Sequence, residues 1–479
     1  MRIRTLFALL IAVAACRDAS APTAPTSPVL DGLVIVSGDR QGLDSGVTPS
    51  PLVVQLWNQG KRVVGTAVHW KVTRGGAALS DTMTLTNASG MGVVTVTPGA
   101  GEFGQGVEAT VAGLPPVDFS LTLRRPFQVL GGGNNVPERY GSDLWLAKGY
   151  GYTGTWGYRS AYGNVINVWQ RDAGGAPALV GADTIPNVTT VSDLQASPDS
   201  TLLVATGEYG TGAGLYVYSL ADPAHPALLA QWSVANATGG LHTGSLAEIG
   251  GQLYAFTARD PSAPSLLTFR IQPDSASKIV LVDSIAMPAN YGIHDTFVRD
   301  GLLFVENWNS GMWIYDVGGG GQGGAPDHAV FIGSVATQGG EVHNAWWFHN
   351  PVTNEKRYVF IGQEGPDVIG VSSTGDIHVV DVSDLSAPVE VAHFHLGANE
   401  GPHNFWMDEQ RQVLYAAYYN GGVVALDVSG TLSGDLSSRE IAEIEPGGSG
   451  NTYVWGVMLY GGSLYASDMV SGFWQLKVP

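Results

Sequence analysis

His403-Asn404-Phe405-Trp406-Met407, Val413-Leu414-Tyr415-Ala416-Ala417 and Val423-Val424-Ala425-Leu426-Asp427-Val428 are three short apolar runs, each separated from the next by a few polar or glycine residues. Runs of this length, rich in Val, Tyr and Phe and bounded by turn residues, read as strands, and connections this short make the strands antiparallel neighbours. The pattern recurs along the chain. Aligning the residue that opens each first run gives Ser142, Ser192, His242, His294, His343, His403 and Trp455, at spacings of 50, 50, 52, 49, 60 and 52. A four-stranded unit repeating about every 50 residues is the length of a propeller blade. Seven copies fill 141–479, so the expected fold is all-β, with a seven-bladed β-propeller as its larger body.

The seventh copy ends soon after its third strand, Phe473 to Val478. A missing fourth strand would leave an open sheet edge. Phe127-Gln128-Val129-Leu130, within a linker spanning 125–140, is therefore expected to supply it and close the ring.

Composition agrees with this reading. The 479 residues include 65 Gly and 26 Pro, too many breakers for long helices, while 44% are hydrophobic, enough for a sizeable core. With 23 basic against 42 acidic residues the net charge is −19, and no basic run is present, which excludes nucleic acid as a partner.

Ahead of the repeats come three segments. Arg2 and Arg4 followed by the apolar run Leu6 to Ala15 read as an export signal over 1–15, too short to stay in a bilayer as a spanning helix. Val13-Ala14-Ala15-Cys16 resembles the lipobox of bacterial lipoproteins, which implies cleavage before Cys16 and lipidation of its thiol. An ordinary signal peptide with a leftover cysteine is the alternative. Arg17 stands where an aspartate would signal inner-membrane retention, so the expected location is the outer membrane. Residues 16–29 are a Pro, Ala, Ser and Thr tether.

Residues 30–124 alternate as short strands, for example Val68-His69-Trp70-Lys71-Val72, and fit one Ig-like β-sandwich. Val64 to Val72, Gly75-Gly76-Ala77-Ala78-Leu79-Ser80 and Thr86-Asn87-Ala88-Ser89-Gly90 resemble the bacterial Ig-like repeats of invasin-type surface proteins, which implies a stalk. His69 is expected to be a packed strand residue. In the larger body, Ile377-His378-Val379-Val380-Asp381-Val382-Ser383-Asp384-Leu385-Ser386-Ala387-Pro388-Val389 resembles the LVIVD repeat, with looser copies at Leu215 to Pro223 and Val424 to Ser429. That resemblance implies a secreted or surface β-propeller and says almost nothing of function, because its apolar residues pack blades together.

Chemistry is expected on one rim. In a propeller blade the opening of the first strand and the close of the second share a face near the axis. The openers include His242, His294, His343 and His403, and the closers include Glu208, Glu306 and Glu364, with Glu400 in an approach loop. Imidazoles converging on an axis suit Zn, Cu or Fe, with carboxylates fixing their tautomers. Structural hydrogen bonding is the competing role, although Ser142, Ser192 and Trp455 at the same slot mean that the scaffold does not demand histidine there. Trp346, Trp347 and Trp406 follow the rim histidines and are candidates for a pocket lining or for packing between blades. His393 and His395 alternate on an outer strand, and His225, His328 and His378 read as surface residues.

Other signals fail on context. Gly149-x-Gly151-x-x-Gly154 has no helix behind it, and Gly318 to Gly324 lacks the Lys-Ser/Thr of a phosphate loop and reads as a flexible insertion. The reading that results is a lipid-anchored envelope protein presenting its propeller to a protein, glycan or small ligand, with a histidine-lined metal site on its axis. The alternative is a metal-dependent oxidase or oxygenase using His242, His294, His343 and His403.

Overall fold

A computed structural model of the chain describes residues 32–133, 136–172, 175–233, 239–261, 263–272, 278–288 and 292–479. The export signal, Cys16 and the tether lie outside the described residues. Among those described, the single helical element is a 3-10 turn, Ser437–Arg439, and no helix is long and apolar enough to cross a membrane.

Residues 32–123 form two facing sheets. One pairs Gly32–Ser37, Leu52–Asn58, Lys61–Arg62 and Met91–Val94. The other orders Gln41–Leu43, Val117–Leu123, Gly104–Thr110, Ala67–Arg74 and Met83–Leu85. Alternation decides which side chains enter the space between them. On Ala67–Arg74, Val68 and Trp70 are buried with Val54, Val107 and Phe119, whereas His69 faces solvent instead of packing. Trp70 satisfies its indole N–H on Thr84 Oγ1 at 2.9 Å, so the large ring is buried without stranding its polar atom.

From Tyr140 onward the strands build, among the described residues, seven successive four-stranded antiparallel units, 140–184, 190–233, 239–286, 295–335, 342–394, 405–444 and 454–477, with Gly434–Asp435 added parallel to the outer strand of the fifth and a small hairpin of Gly365–Val368 and Ser372–Thr374 inserted in it. The last unit contains only three strands of its own. Its fourth is Gln128–Gly133, which pairs antiparallel with Gly472–Lys477, Gln128 opposite Lys477 and Gly133 opposite Phe473. Phe127 is not part of that strand; it is buried among Tyr415, Ala425 and Leu476. Apolar cores lie between each pair of neighbouring units. Val204 and Leu215 meet Leu246 and Leu267 between the second and third, and Phe360 and Val379 meet Leu414 and Leu426 between the fifth and sixth. Leu144, Leu146 and Trp169 of the first unit pack on Met458, Tyr465 and Phe473 of the seventh, so the cores run continuously round a closed ring. Second and third strands touch neighbours on both faces, which is why Leu202–Glu208 and Val423–Asp427 are buried at every position.

The sandwich is docked on the sixth unit. Asp427, 1% exposed, takes Arg439 Nη1 at 3.2 Å from its own unit. From the sandwich it takes Arg74 Nη1 at 3.5 Å and the Thr122 hydroxyl at 3.4 Å. Phe103 packs against the sixth unit with the Arg411 guanidinium 4.7 Å from its ring. Removing one partner of a buried ion pair leaves an uncompensated charge, so Asp427→Ala is expected to cost about 3 kcal/mol. Urea denaturation measures the loss, and limited proteolysis should release the sandwich more readily from the variant than from the parent.

The glycine-rich segment after the fourth unit's third strand is not a loose insertion. It wraps a carboxylate: Asp316 Oδ1 accepts the N–H groups of Gly318, Gly319 and Gly320 at 2.8–2.9 Å, and Oδ2 accepts those of Gln322 and Gly324 at 2.7 and 3.1 Å. A Cβ on Gly324 would sit 2.0 Å from the Asp316 carbonyl oxygen, so glycine is required for this close approach.

Candidate functional site

In five of the seven units the slot that opens the first strand carries a local irregularity. The ladder slips between Gly141 and Leu144, Val191 and Leu194, Leu241 and Gly244, Val342 and Asn344, and Val454 and Gly456. An extra residue at such a bulge turns the slot side chain out of strict alternation and re-aims it. In the fourth and sixth units the slot lies just before the strand, held by His294 N–H to the Glu306 carbonyl at 2.7 Å and His403 N–H to the Ala417 carbonyl at 2.8 Å.

Four slot histidines therefore converge. Ring centroids are 4.3 Å apart for His242 and His294, 4.6 Å for His294 and His343, and 4.0 Å for His343 and His403. Their Nε2 atoms face one another across Glu364. His242 Nε2 is 3.0 Å from His294 Nε2, and the Glu364 carboxylate is 3.4 Å from His294 Nε2, 3.6 Å from His343 Nε2 and 3.9 Å from His403 Nε2. His294, His343 and Glu364 each offer a ligand atom within 4.8 Å of the others. Around this group Trp156, Trp308, Trp455 and Tyr419 form an aromatic belt, with Trp455 4.2 Å from the His403 ring and Trp308 4.7 Å from that of His294.

Two of the outward nitrogens are held. His242 Nδ1 bonds the Glu208 carboxylate, and His403 Nδ1 donates to the Trp455 carbonyl at 2.6 Å. A proton fixed on Nδ1 leaves the Nε2 lone pair for the centre, which is how ligating imidazoles are oriented. Burial, followed by the charge of neighbouring imidazoles, holds His294, His343 and His403 well below the usual histidine range, so these three rings are neutral at pH 7. Glu364, 6% exposed, is pushed up to about 7 by burial, against the hydroxyl of Tyr419, which donates to it. Among the described residues both nitrogens of His343 and the Nε2 of His403 lack a hydrogen-bond partner. Buried polar atoms are rarely left so. The donor set fits a borderline transition ion, which takes neutral imidazole and carboxylate together.

Not every residue expected on the rim reaches this centre. Glu306 is fully buried but faces its ladder partner Asp295, and neither carboxylate oxygen has a hydrogen-bond partner among the described residues. Burial and then Asp295 push its carboxyl well above the ordinary range. Glu400 is not brought to the histidines. It lies in the loop before His403, packed over Gly397, with Glu443, Glu445 and His395 as its charged neighbours, because that loop approaches from the outer side of the unit. His395, just past the strand Val389–Phe394, is exposed and pairs with Asp376 at 2.6 Å, and His393 within that strand is exposed as well. His378 is not a surface residue; it is 2% exposed and bonds Glu390 at 2.8 Å. Trp347 packs between the fourth and fifth units, its indole N–H on the Lys356 carbonyl.

Trp346 and Trp406, expected as candidates for a pocket lining, do line one, and with them stand residues the sequence reading did not single out, chiefly those just after the slot. Asp143, Asp193, Asp295, Asn344 and Asn404 all stand at slot plus one, and Trp145, Trp346 and Trp406 at slot plus three. They line a common cavity along the axis. The sequence signal was present in the aligned tetrads Ser-Asp-Leu-Trp and His-Asn-Phe-Trp. What hid it was the bulge, since strict alternation puts slot and slot plus one on opposite faces.

No family model matches the chain, and no curated protein matches it. Among solved structures it is similar to Sqt1 of Chaetomium thermophilum bound to the N-terminus of ribosomal protein L10, at 14% identity and a TM-score of 0.47, over 71% of this chain and 84% of that one. Sqt1 of the same organism without the peptide is similar at 13% identity and a TM-score of 0.48, over 70% of this chain and 82% of that one.

Proposed function

We propose that this chain is a metal-binding β-propeller protein of the cell envelope, in which the seven units are blades, the 32–123 sandwich is an Ig-like stalk and Cys16 carries a lipid anchor to the outer membrane. The observation that carries the metal reading is the convergence of three imidazole Nε2 atoms, from His294, His343 and His403 of three different units, on the Glu364 carboxylate, with His242 Nε2 3.0 Å from that of His294. His294, His343, His403 and Glu364 would hold the ion, and His242, locked by Glu208, would complete or flank the set. Zn, Cu and Fe are the ions this chemistry suits. The centre is enclosed by aromatic rings, which favours a binding protein whose ion organises the axis over an open catalytic site. Its ligand would be a protein, glycan or small molecule at the propeller face.

One observation favours the second reading, a metal-dependent oxidase or oxygenase. Glu306 is buried, unpartnered among the described residues and next to Asp295, so two proton-holding carboxyls lie near the imidazoles. A bound ion would supply Lewis-acid or redox chemistry there, and Glu306 with Asp295 would hold and pass protons.

Metal analysis of the full chain tests the first reading. About one equivalent of Zn, Cu or Fe per chain, lost in His403→Ala, is the expected result; less than about a tenth of an equivalent in the parent after incubation with each ion would end both readings. Copper or iron at that stoichiometry, with oxygen uptake abolished by Glu306→Gln, would select the enzyme. Zinc alone would select the binding protein.

A further inference from the structure

Beyond the histidines the axis continues into a cavity of about 190 Å³. Its inner end is acidic. Asp143, Asp193 and Asp295 line it, with Asn404 donating to Asp143 at 2.9 Å and the Gly244 N–H donating to Asp193 at 2.7 Å. Its walls are aromatic. Trp406 lies between Trp145 and Trp346, at ring centroid distances of 5.8 and 5.3 Å, and the three indoles are only half-buried. Among the described residues no Lys or Arg lines the cavity, and the protein charge that acts on Asp193 and Asp295 is that of His242, outside the lining. Asn344, 4% exposed, lines the same cavity and its Oδ1 has no hydrogen-bond partner among the described residues.

Three carboxyls with no Lys or Arg in the lining, beside three indoles, match a cation that carries carbon. A bare divalent ion would want oxygen ligands all round and would gain little from three indoles. An ammonium group on alkyl substituents uses both parts: its charge meets carboxylates and ring faces, and its methyl or methylene groups cover indole surface. We infer that the axial cavity binds an alkylammonium group, with Asp143, Asp193 and Asp295 as its counter-charge and Trp145, Trp346 and Trp406 as its cage. The site differs from the proposed metal centre in both residues and chemistry. The ammonium source is either a free small amine or a lysine side chain presented by a partner.

The inference is tested on the full chain by tryptophan fluorescence and calorimetry. The probes are choline, n-butylammonium and Nα-acetyl-lysinamide, with 3,3-dimethylbutan-1-ol as the uncharged isostere of choline. At least one amine should saturate, with a dissociation constant near or below about 1 mM, and the alcohol should bind at least about tenfold more weakly. Saturation by choline alone assigns the small-amine source, and saturation by the lysine derivative assigns the side-chain source. Asp193→Asn and Trp406→Leu should each weaken binding about tenfold while the bound-metal content is unchanged. No saturation by any amine up to about 10 mM, or equal binding of choline and the alcohol, overturns the inference. The choline–alcohol comparison uses the parent protein alone, so it decides even where a variant fails to fold.

Discussion

Glu364→Gln should make the metal-free protein more stable and at the same time remove its response to added metal. The two effects have one cause. Glu364 is a carboxyl 6% exposed; His294, His343 and His403 beside it are neutral, and only the Tyr419 hydroxyl, which donates to it, and the charge of His242 favour its ionised form. Burying a carboxylate with so little compensation is costly, whereas glutamine has nearly the same shape and carries no charge. The gain in the metal-free state is expected to be about 1–3 kcal/mol. A divalent ion reverses the comparison, because it neutralises the carboxylate and takes the unpartnered imidazole nitrogens as well. At an ion concentration about 1,000 times the dissociation constant the parent gains about 4 kcal/mol, and the variant should gain almost none of it. His343→Ala should lose the metal response too, but without any gain in the metal-free state, since it removes packing and leaves the buried Glu364 carboxyl in place. Calorimetric melting of parent and both variants, with chelator and then with excess ion, provides the comparison. A metal-free Glu364→Gln protein less stable than its parent would mean that Glu364 pairs with an imidazolium, and the neutral-ligand reading would fall.

The arc of histidines could be read from sequence because a repeat conserves position along the chain. His242, His294, His343 and His403 each open a first strand, and equal placement in successive units around a ring forces equal placement around the axis. Glu208 closes a second strand and Glu364 follows directly on another, so both keep the strand's register and arrive beside the imidazoles. Loop residues inherit nothing of the kind. Glu400 is only three residues before His403, yet its loop follows its own path and carries the carboxyl away toward Glu443 and His395. The second tier, Asp143, Asp193 and Asp295, was written in the same alignment, but alternation assigns it to the wrong face unless the bulge is known. Glu306 shows a further limit. Sequence fixes its height along the axis, but not whether its carboxyl turns to the histidines or to Asp295.

Asp316→Ala is expected to cost about 4–5 kcal/mol, more than most single substitutions in the ring cores. The side chain is small and adds little apolar contact, so the expected loss comes from hydrogen bonds. Five backbone N–H groups, from Gly318, Gly319, Gly320, Gln322 and Gly324, converge on its two oxygens. In a chain of glycines no side chain competes for those donors, and without the carboxylate the loop has nothing to wind around. Its positive-φ positions, Gly318 at 133°, Gly321 at 71° and Gly323 at 81°, then become an entropic cost with no compensating bonds. Asp316→Asn keeps one acceptor oxygen and should lose about 2 kcal/mol. The charge also sets a pH dependence. Burial alone would raise the Asp316 carboxyl, but the N–H groups of Gly318, Gly320, Gln322 and Gly324 outweigh it and hold the group far below the usual carboxylate range. A depressed carboxyl stabilises the fold fully above its unfolded value, near pH 4, and that stability is lost as pH falls from there toward the folded value. The stability difference between parent and Asp316→Asn should therefore shrink by about 1 kcal/mol between pH 5 and pH 3. Urea denaturation at the two pH values measures both quantities. A loss below about 1 kcal/mol in Asp316→Ala, or a difference from Asp316→Asn that stays constant with pH, would show that the glycines hold their path without the carboxylate.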